Sequence, residues 1–122
     1  VAAVIINDGQ VLCAQRGYGE LKGKWEFPGG KIKQDENHKQ ALRREIKEEL
    51  SCDVEVGSRV TNTVHQYRFG IVHLTTYYCQ LIGGKPKSIE HMDIKWMSPS
   101  NLLALDWAPA DLPAVAIVMK EC

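Results

Sequence analysis

The run from His38 to Leu50, HKQALRREIKEEL, constrains the fold of this chain more than any other stretch. Asn37 is a good N-cap residue with Gln40 three positions on, and Ala41, Leu42, Ile46 and Leu50 recur at helical spacing, which predicts a helix over 38–50. Its apolar stripe is narrow, so it has to be buried against another element.

The flanking sequence predicts that this other element is a sheet. Val1 to Ile6 is β-branched and apolar, Asn7-Asp8-Gly9 is a turn signal, and Gln10 to Arg16 resumes the apolar pattern, giving a hairpin whose first strand is central. Gly17 to Lys24 reads as an exposed loop, and Trp25 to Phe27 as a short strand stopped by Pro28-Gly29-Gly30. Residues 54–56, about 60–69 and 71–82 are rich in Val, Thr, Tyr and Ile and are bounded by Gly57, Gly70 and Gly83-Gly84, so three further strands are expected there. Ile94 to Met97 reads as a last strand, Pro99 to Leu105 as a short helix, and Leu112 to Lys120 as a terminal helix entered through Pro113. The expected class is α+β, an α/β/α sandwich with a mixed sheet between helices.

At 122 residues the chain is expected to form a single domain with one core, 1–122, with no room for a separate cofactor domain. Fifteen basic residues balance fifteen acidic ones, so no net field attracts a nucleic-acid polymer or an anionic membrane, and any polyanion must be small and locally gripped. The longest apolar runs are too short to span a bilayer, and no secretory leader pattern is visible; a cytoplasmic location is the expectation. Cys13, Cys52, Cys79 and Cys122 have no metal-ligand spacing and read as reduced thiols. His38, His65, His73 and His91 also lack ligand spacing and read as surface or strand residues. Oligomeric state is not readable from these residues.

On the helix, taking about 100° per residue, Glu49 lies at about 40° and Glu48 at about −60° from Glu45, so three carboxylates share an arc of about 100° beside the apolar stripe. A solvated face laced with ion pairs is the ordinary reading of a charged helix, but Glu45 with Glu48 and Glu45 with Glu49 are like-charge pairs, and the last two lie where the helix dipole disfavours anions. Carboxylates this close raise one pKa or bind a cation, and hard oxygen ligands suit Mg²⁺ or Mn²⁺. A divalent-metal site is therefore expected.

Gly30, five residues, Glu36, seven residues, then Arg44-Glu45-Ile46-Lys47-Glu48-Glu49 resembles the Nudix box, the signature of hydrolases acting on nucleoside diphosphates linked to another group. The box normally closes with Gly and an aliphatic residue, where this chain has Ser51 and Cys52. Ser in a left-handed cap costs about 1 kcal/mol relative to Gly, and neither position supplies a metal oxygen in the family pattern. Trp25 to Lys31 resembles the strand and turn leading into the box in the MutT-type branch. Glu90, six residues before Trp96-Met97, and Trp107-Ala108-Pro109-Ala110-Asp111 resemble that branch's loop glutamate and base-contacting segment.

The resemblance implies Mg²⁺-dependent hydrolysis of a nucleoside triphosphate to monophosphate and pyrophosphate, the substrate being 8-oxo-dGTP or (d)CTP. Other Nudix substrates, such as dinucleoside polyphosphates or ADP-ribose, and a non-catalytic nucleotide-binding module are the alternatives. Glu45, Glu48 and Glu49 are the implied metal ligands, joined by the Gly30 carbonyl and Glu90, with Glu45 or Glu49 also the candidate general base. Arg44 is expected to orient a carboxylate and Glu36 to support it. Arg16 is placed to reach a phosphate and Phe27 to stack on the base. Asp111 either reads the base, as an ionised acceptor that disfavours thymine, or caps the terminal helix.

Overall fold

The computed structural model describes residues 1–122. Six strands, β1 (Ala2–Asn7), β2 (Gln10–Gln15), β3 (Trp25–Glu26), β4 (Asp53–Tyr67), β5 (Gly70–Gly83) and β6 (Asp93–Met97), join the helices α1 (His38–Leu50) and α2 (Leu112–Glu121). The strand order is β3-β2-β1-β5-β4, with β6 on the other side of β2. Only β1 and β5 run parallel, so the sheet is mixed.

Period-2 alternation in β1 explains the layering, since neighbouring side chains point to opposite faces. Ala3 and Ile5 join Leu12, Leu42, Ile46, Leu50, Val54 and Cys79 in one core under α1. Ala2 and Val4 join Val11, Phe27, Trp107, Val115 and Val118 in the other, under α2. Both faces of the sheet are thus covered by helices, which divides the single core expected from the sequence into two clusters, and β1 is central, with β2 and β5 on either side.

The hairpin of β1 and β2 turns through Asp8 and Gly9, both at positive φ (51° and 75°), as a two-residue turn requires. It stays paired only at Ile6 with Val11 and Asn7 with Gln10. Beyond that the strands fork, and the segment from Trp25 to Gly30 fills the gap. Trp25 and Glu26 pair with β2, while Ala3 donates its amide to the Pro28 carbonyl at 2.8 Å and the Gly30 amide donates to the Val1 carbonyl at 3.0 Å. Gly29 is required in this wedge, because a Cβ there would overlap the Val1 carbonyl oxygen.

α1 has the predicted boundaries. Asn37 accepts from the Gln40 amide at 2.8 Å and Gln40 accepts from the Asn37 amide at 2.9 Å, a complete capping box. Ser51 ends the helix in the left-handed region (φ 55°), its amide donating to the Lys47 carbonyl.

Four expectations are corrected. Gly57 does not end a strand: β4 runs unbroken from Asp53 to Tyr67, and register shifts between Val56 and Thr61 absorb the irregularity. Arg68 and Phe69 form the turn of the β4–β5 hairpin rather than extending β4. Pro99 to Ala104 is a 3-10 turn, and Trp25–Glu26 is a residue shorter than expected. No helix is long and apolar enough to cross a membrane, and all four cysteines are free.

Candidate active site

The wedge between β1 and β2 delivers Gly30 to the side of α1 that carries the acidic arc. A Cβ on Gly30 would lie within the van der Waals radius of the Glu45 carboxyl group, so only glycine lets the chain pass this close to Glu45. The Gly30 carbonyl accepts a hydrogen bond from the Val1 nitrogen at 2.9 Å.

Arg44 organises the arc. Its Nε and Nη2 donate to the two oxygens of Glu36 at 2.7 and 2.9 Å, a bidentate fork. Nη1 donates to Glu45 Oε1 at 2.8 Å and to Glu48 Oε2 at 3.2 Å, and Nη2 also donates to the Lys31 carbonyl at 3.0 Å. The fork holds the Glu36 carboxyl far down, at about 2, first through the Arg44 hydrogen bonds and then through the Lys33 amide. The same carboxylates raise the Arg44 pKa.

Protein groups therefore compensate part of the acidic cluster. One guanidinium serves Glu36, Glu45 and Glu48, and it engages a single oxygen of each of the last two. Glu48 remains half exposed. Glu49 has no such partner. It is 7% exposed, and its Oε2 is buried without a hydrogen bond. Burial pushes its pKa up to about 9, with Glu26, Glu45 and Glu90 adding to the effect and the Gly29 amide opposing it.

As the side chains stand, no three acidic, histidine or cysteine groups converge on one point. The donor set nonetheless fits a hard divalent cation: the donors are oxygens, Glu45 and Glu48 each keep one oxygen clear of Arg44, and the buried Glu49 oxygen lacks the partner a cation supplies.

The acidic patch opens into a cleft of about 850 Å³, ample for a nucleotide. Arg16, Phe27, Gly30, Glu45, Glu49 and Glu90 line it together with Asp111, so these predicted site residues do come together. Glu36 and Glu48 stand behind and beside them through Arg44.

Three of these residues have partners of their own in the structure. Arg16 is committed to Glu26, its Nη1 donating to Oε1 at 2.7 Å. Phe27 is 2% exposed and packs on Trp107, with ring centroids 4.8 Å apart, so most of its surface belongs to the core. Asp111 makes no capping bond to α2. Its Oδ1 instead accepts the Phe27 amide at 3.1 Å, which ties the start of the wedge to the segment before α2. Burial raises the Asp111 pKa to about 8, with Glu26 adding and the Phe27 amide and Arg16 opposing. Burial therefore favours the protonated carboxyl over the ionised acceptor expected from the sequence.

Two members of the cluster went unread in the sequence. Glu26 sits on β3 between Trp25 and Phe27, and strand alternation turns it away from those two core aromatics toward Arg16 and Glu49. An acid set between core aromatics immediately before the box was the available signal. His91, expected as a surface or strand residue, lies in neither setting: its side chain is only 5% exposed, outside any strand, between Glu26 and Glu49.

Fold and site together describe a hydrolase-type acidic centre on a helix packed against a mixed sheet, and known proteins with this arrangement are close in sequence. The NUDIX domain model matches residues 1–116. The CTP pyrophosphohydrolase of Escherichia coli strain K12 is 38% identical over 120 residues, covering 98% of this chain and 89% of that one. The putative 8-oxo-dGTP diphosphatase 2 of Mycobacterium tuberculosis is 39% identical over 115 residues, covering 91% and 80%. Among solved structures, the E. coli ORF135 protein superposes with a TM-score of 0.84 at 36% identity, covering 98% of this chain and 86% of its own. The MutT protein of methicillin-resistant Staphylococcus aureus 252, titled a Nudix-family hydrolase, gives 0.79 at 50% identity, covering 99% and 94%. The chain belongs to the NUDIX domain family and is an enzyme of its hydrolase class, in which use of a divalent metal is general.

Proposed function

We propose that residues 1–122 form one Nudix hydrolase domain that cleaves a nucleoside triphosphate to monophosphate and pyrophosphate with Mg²⁺, acting on 8-oxo-dGTP or (d)CTP in nucleotide-pool sanitation. The observation that carries this reading is the buried Glu49 carboxyl group, whose Oε2 has no hydrogen-bond partner, in the lining of a cleft that also holds Glu45, Gly30 and Glu90. The names of the relatives, a CTP pyrophosphohydrolase and 8-oxo-dGTP diphosphatases, point to the same reaction and the same two substrates.

When bound, the divalent ion would neutralise phosphate charge and lower the pKa of a water. Glu45, Glu48 and Glu49 would hold it, with the Gly30 carbonyl and Glu90 as further donors. Arg44 keeps Glu45 and Glu48 in place by its own hydrogen bonds, and Glu36 keeps Arg44 in place. Glu45 or Glu49 takes the proton of the attacking water. Arg16, beside the acids on the cleft wall, offers positive charge to a phosphate.

At the base end, Asp111 has Oδ1 engaged by Phe27, which leaves Oδ2 to carry the proton. A donor there meets N3 of cytosine or O6 of guanine. It meets O4 of thymine as well, so the discrimination against thymine that an ionised Asp would impose does not follow.

Pyrophosphate release should be measured with and without Mg²⁺ across 8-oxo-dGTP, dGTP, CTP, dCTP, ADP-ribose and a dinucleoside polyphosphate. Mg²⁺-dependent release from 8-oxo-dGTP or the cytidine nucleotides, reduced at least ~100-fold by Glu49→Gln, is expected. Faster turnover of ADP-ribose or the dinucleotide would move the assignment within the family. Binding without turnover of any nucleotide would make the domain a binding module.

A further inference from the structure

The segment that carries Glu90, residues 84–92, has no regular secondary structure, yet Glu90 lines the cleft. Something has to hold this segment against the sheet and α1. Two amides tie it on either side of Glu90, Lys87 to the Leu50 carbonyl at 2.8 Å and Met92 to the Gln15 carbonyl at 2.9 Å, and Ser88 Oγ donates to the His91 carbonyl at 2.8 Å. None of these bonds links the segment to the acidic side chains themselves.

His91 makes that connection. Its Nε2 lies 3.1 Å from Glu26 Oε2 on β3 and 3.9 Å from Glu49 Oε1 on α1. Glu26 is held from its other oxygen by Arg16 at 2.7 Å, so the imidazole docks on a carboxylate that is already anchored. With a carboxylate as partner, Nε2 is the donor nitrogen and the tautomer follows. The engaged nitrogen is not free to act as a metal ligand.

The surroundings mark the junction as more than loop packing. Three of the four buried side-chain polar atoms without a partner, Arg16 Nε, Glu49 Oε2 and His91 Nδ1, belong to residues that line one small cavity, together with Glu26 and Glu90. At about 10 Å³ the cavity has room for roughly one water. Unmet polar groups are tolerated at functional sites far more readily than in a structural core.

We propose that His91 is a positioning residue, whose bond to Glu26 across the face of Glu49 clamps the 84–92 segment and so presents Glu90 to the acidic centre. The role given to Glu90 rests on the functional reading above; the clamp itself does not.

The test uses the full chain with His91→Ala, His91→Gln, Glu90→Gln and the His91→Ala/Glu90→Gln double variant. Steady-state kinetics with Mg²⁺ and the best triphosphate should show His91→Ala lowering kcat by ~10- to 100-fold with KM changed less than ~3-fold. The double variant should be no slower than the slower single variant, because both remove one function. His91→Gln, whose amide nitrogen can reach the place of Nε2, should recover most of the loss. Hydrogen exchange without nucleotide should show the Lys87 and Met92 amides losing protection in His91→Ala and regaining it in His91→Gln, while the Glu45 to Glu49 amides stay protected. Unchanged exchange in His91→Ala, multiplicative losses in the double variant, or a glutamine variant no better than alanine would overturn the clamp. If the unaltered chain turns over no triphosphate, the functional reading fails and the exchange measurement still decides on His91.

Discussion

Replacing Asp111 with Asn tests how the site segment is held. Asp111 is 5% exposed and its pKa stands at about 8 in the folded chain, against 3.8 for the unperturbed group. Below pH 3.8 both folded and unfolded chains carry the proton. Between 3.8 and about 8 the folded state binds a proton that the unfolded state lacks, so stability falls as pH rises; above 8 both are ionised and the loss stops. Each pH unit in that window is worth ~1.4 kcal/mol, with a ceiling of ~6 kcal/mol across the whole window. Asn keeps an oxygen to accept the Phe27 amide but cannot ionise. Urea unfolding of both proteins at pH 5, 6, 7, 8 and 9 should therefore show Asp111→Asn gaining on the parent by ~1 kcal/mol per unit from pH 5 to 7, with the gap levelling above 8. Taking the difference between the two proteins removes other titrations, including that of Glu49. Parallel stability curves over pH 5 to 9 would show that Asp111 ionises normally and would refute the burial reasoning.

Other outcomes follow from the same geometry. Gly30→Ala forces the Glu45 carboxylate, the free end of a side chain, out of its place; unfolding free energy should change by less than ~1 kcal/mol while turnover falls ~100-fold, as read by urea titration beside the nucleotide assay. Arg44→Lys cannot reproduce the fork on Glu36 together with the bonds to Glu45 and Glu48, and should lower kcat/KM by ~10- to 100-fold with the fold retained by circular dichroism. Leu42→Ala, at a fully buried position under α1, should cost ~2–5 kcal/mol in unfolding free energy, whereas Leu103→Ala at an exposed position should cost less than ~0.5 kcal/mol.

The separation between what was legible and what was not follows the range of the interactions. α1 was readable to its boundaries because a cap, a periodic stripe and a terminating left-handed residue are all local. Glu45, Glu48 and Glu49 could be grouped because a helix converts sequence spacing into angle. The strand break at Gly57 was misread, because the long pairing of β4 with β5 carries the strand across a residue of weak β-propensity. The role of Asp111 was likewise out of reach: its partner, the Phe27 amide, lies 84 positions away, and its pKa is set by burial.

From the residues alone came the capped helix, its acidic arc, the turn signals of the first hairpin and the motif that places the chain in its family. Each depends on neighbours within a few turns of chain, where geometry is nearly the same in every protein. Tertiary structure alone decided that the β1–β2 hairpin forks around Trp25 to Gly30, that Arg44 pairs with Glu36, Glu45 and Glu48 and not with Glu49, and that Glu26 and His91 complete the centre. Those outcomes depend on which distant segments share a buried space, and burial is a property of the assembled molecule that no local pattern encodes.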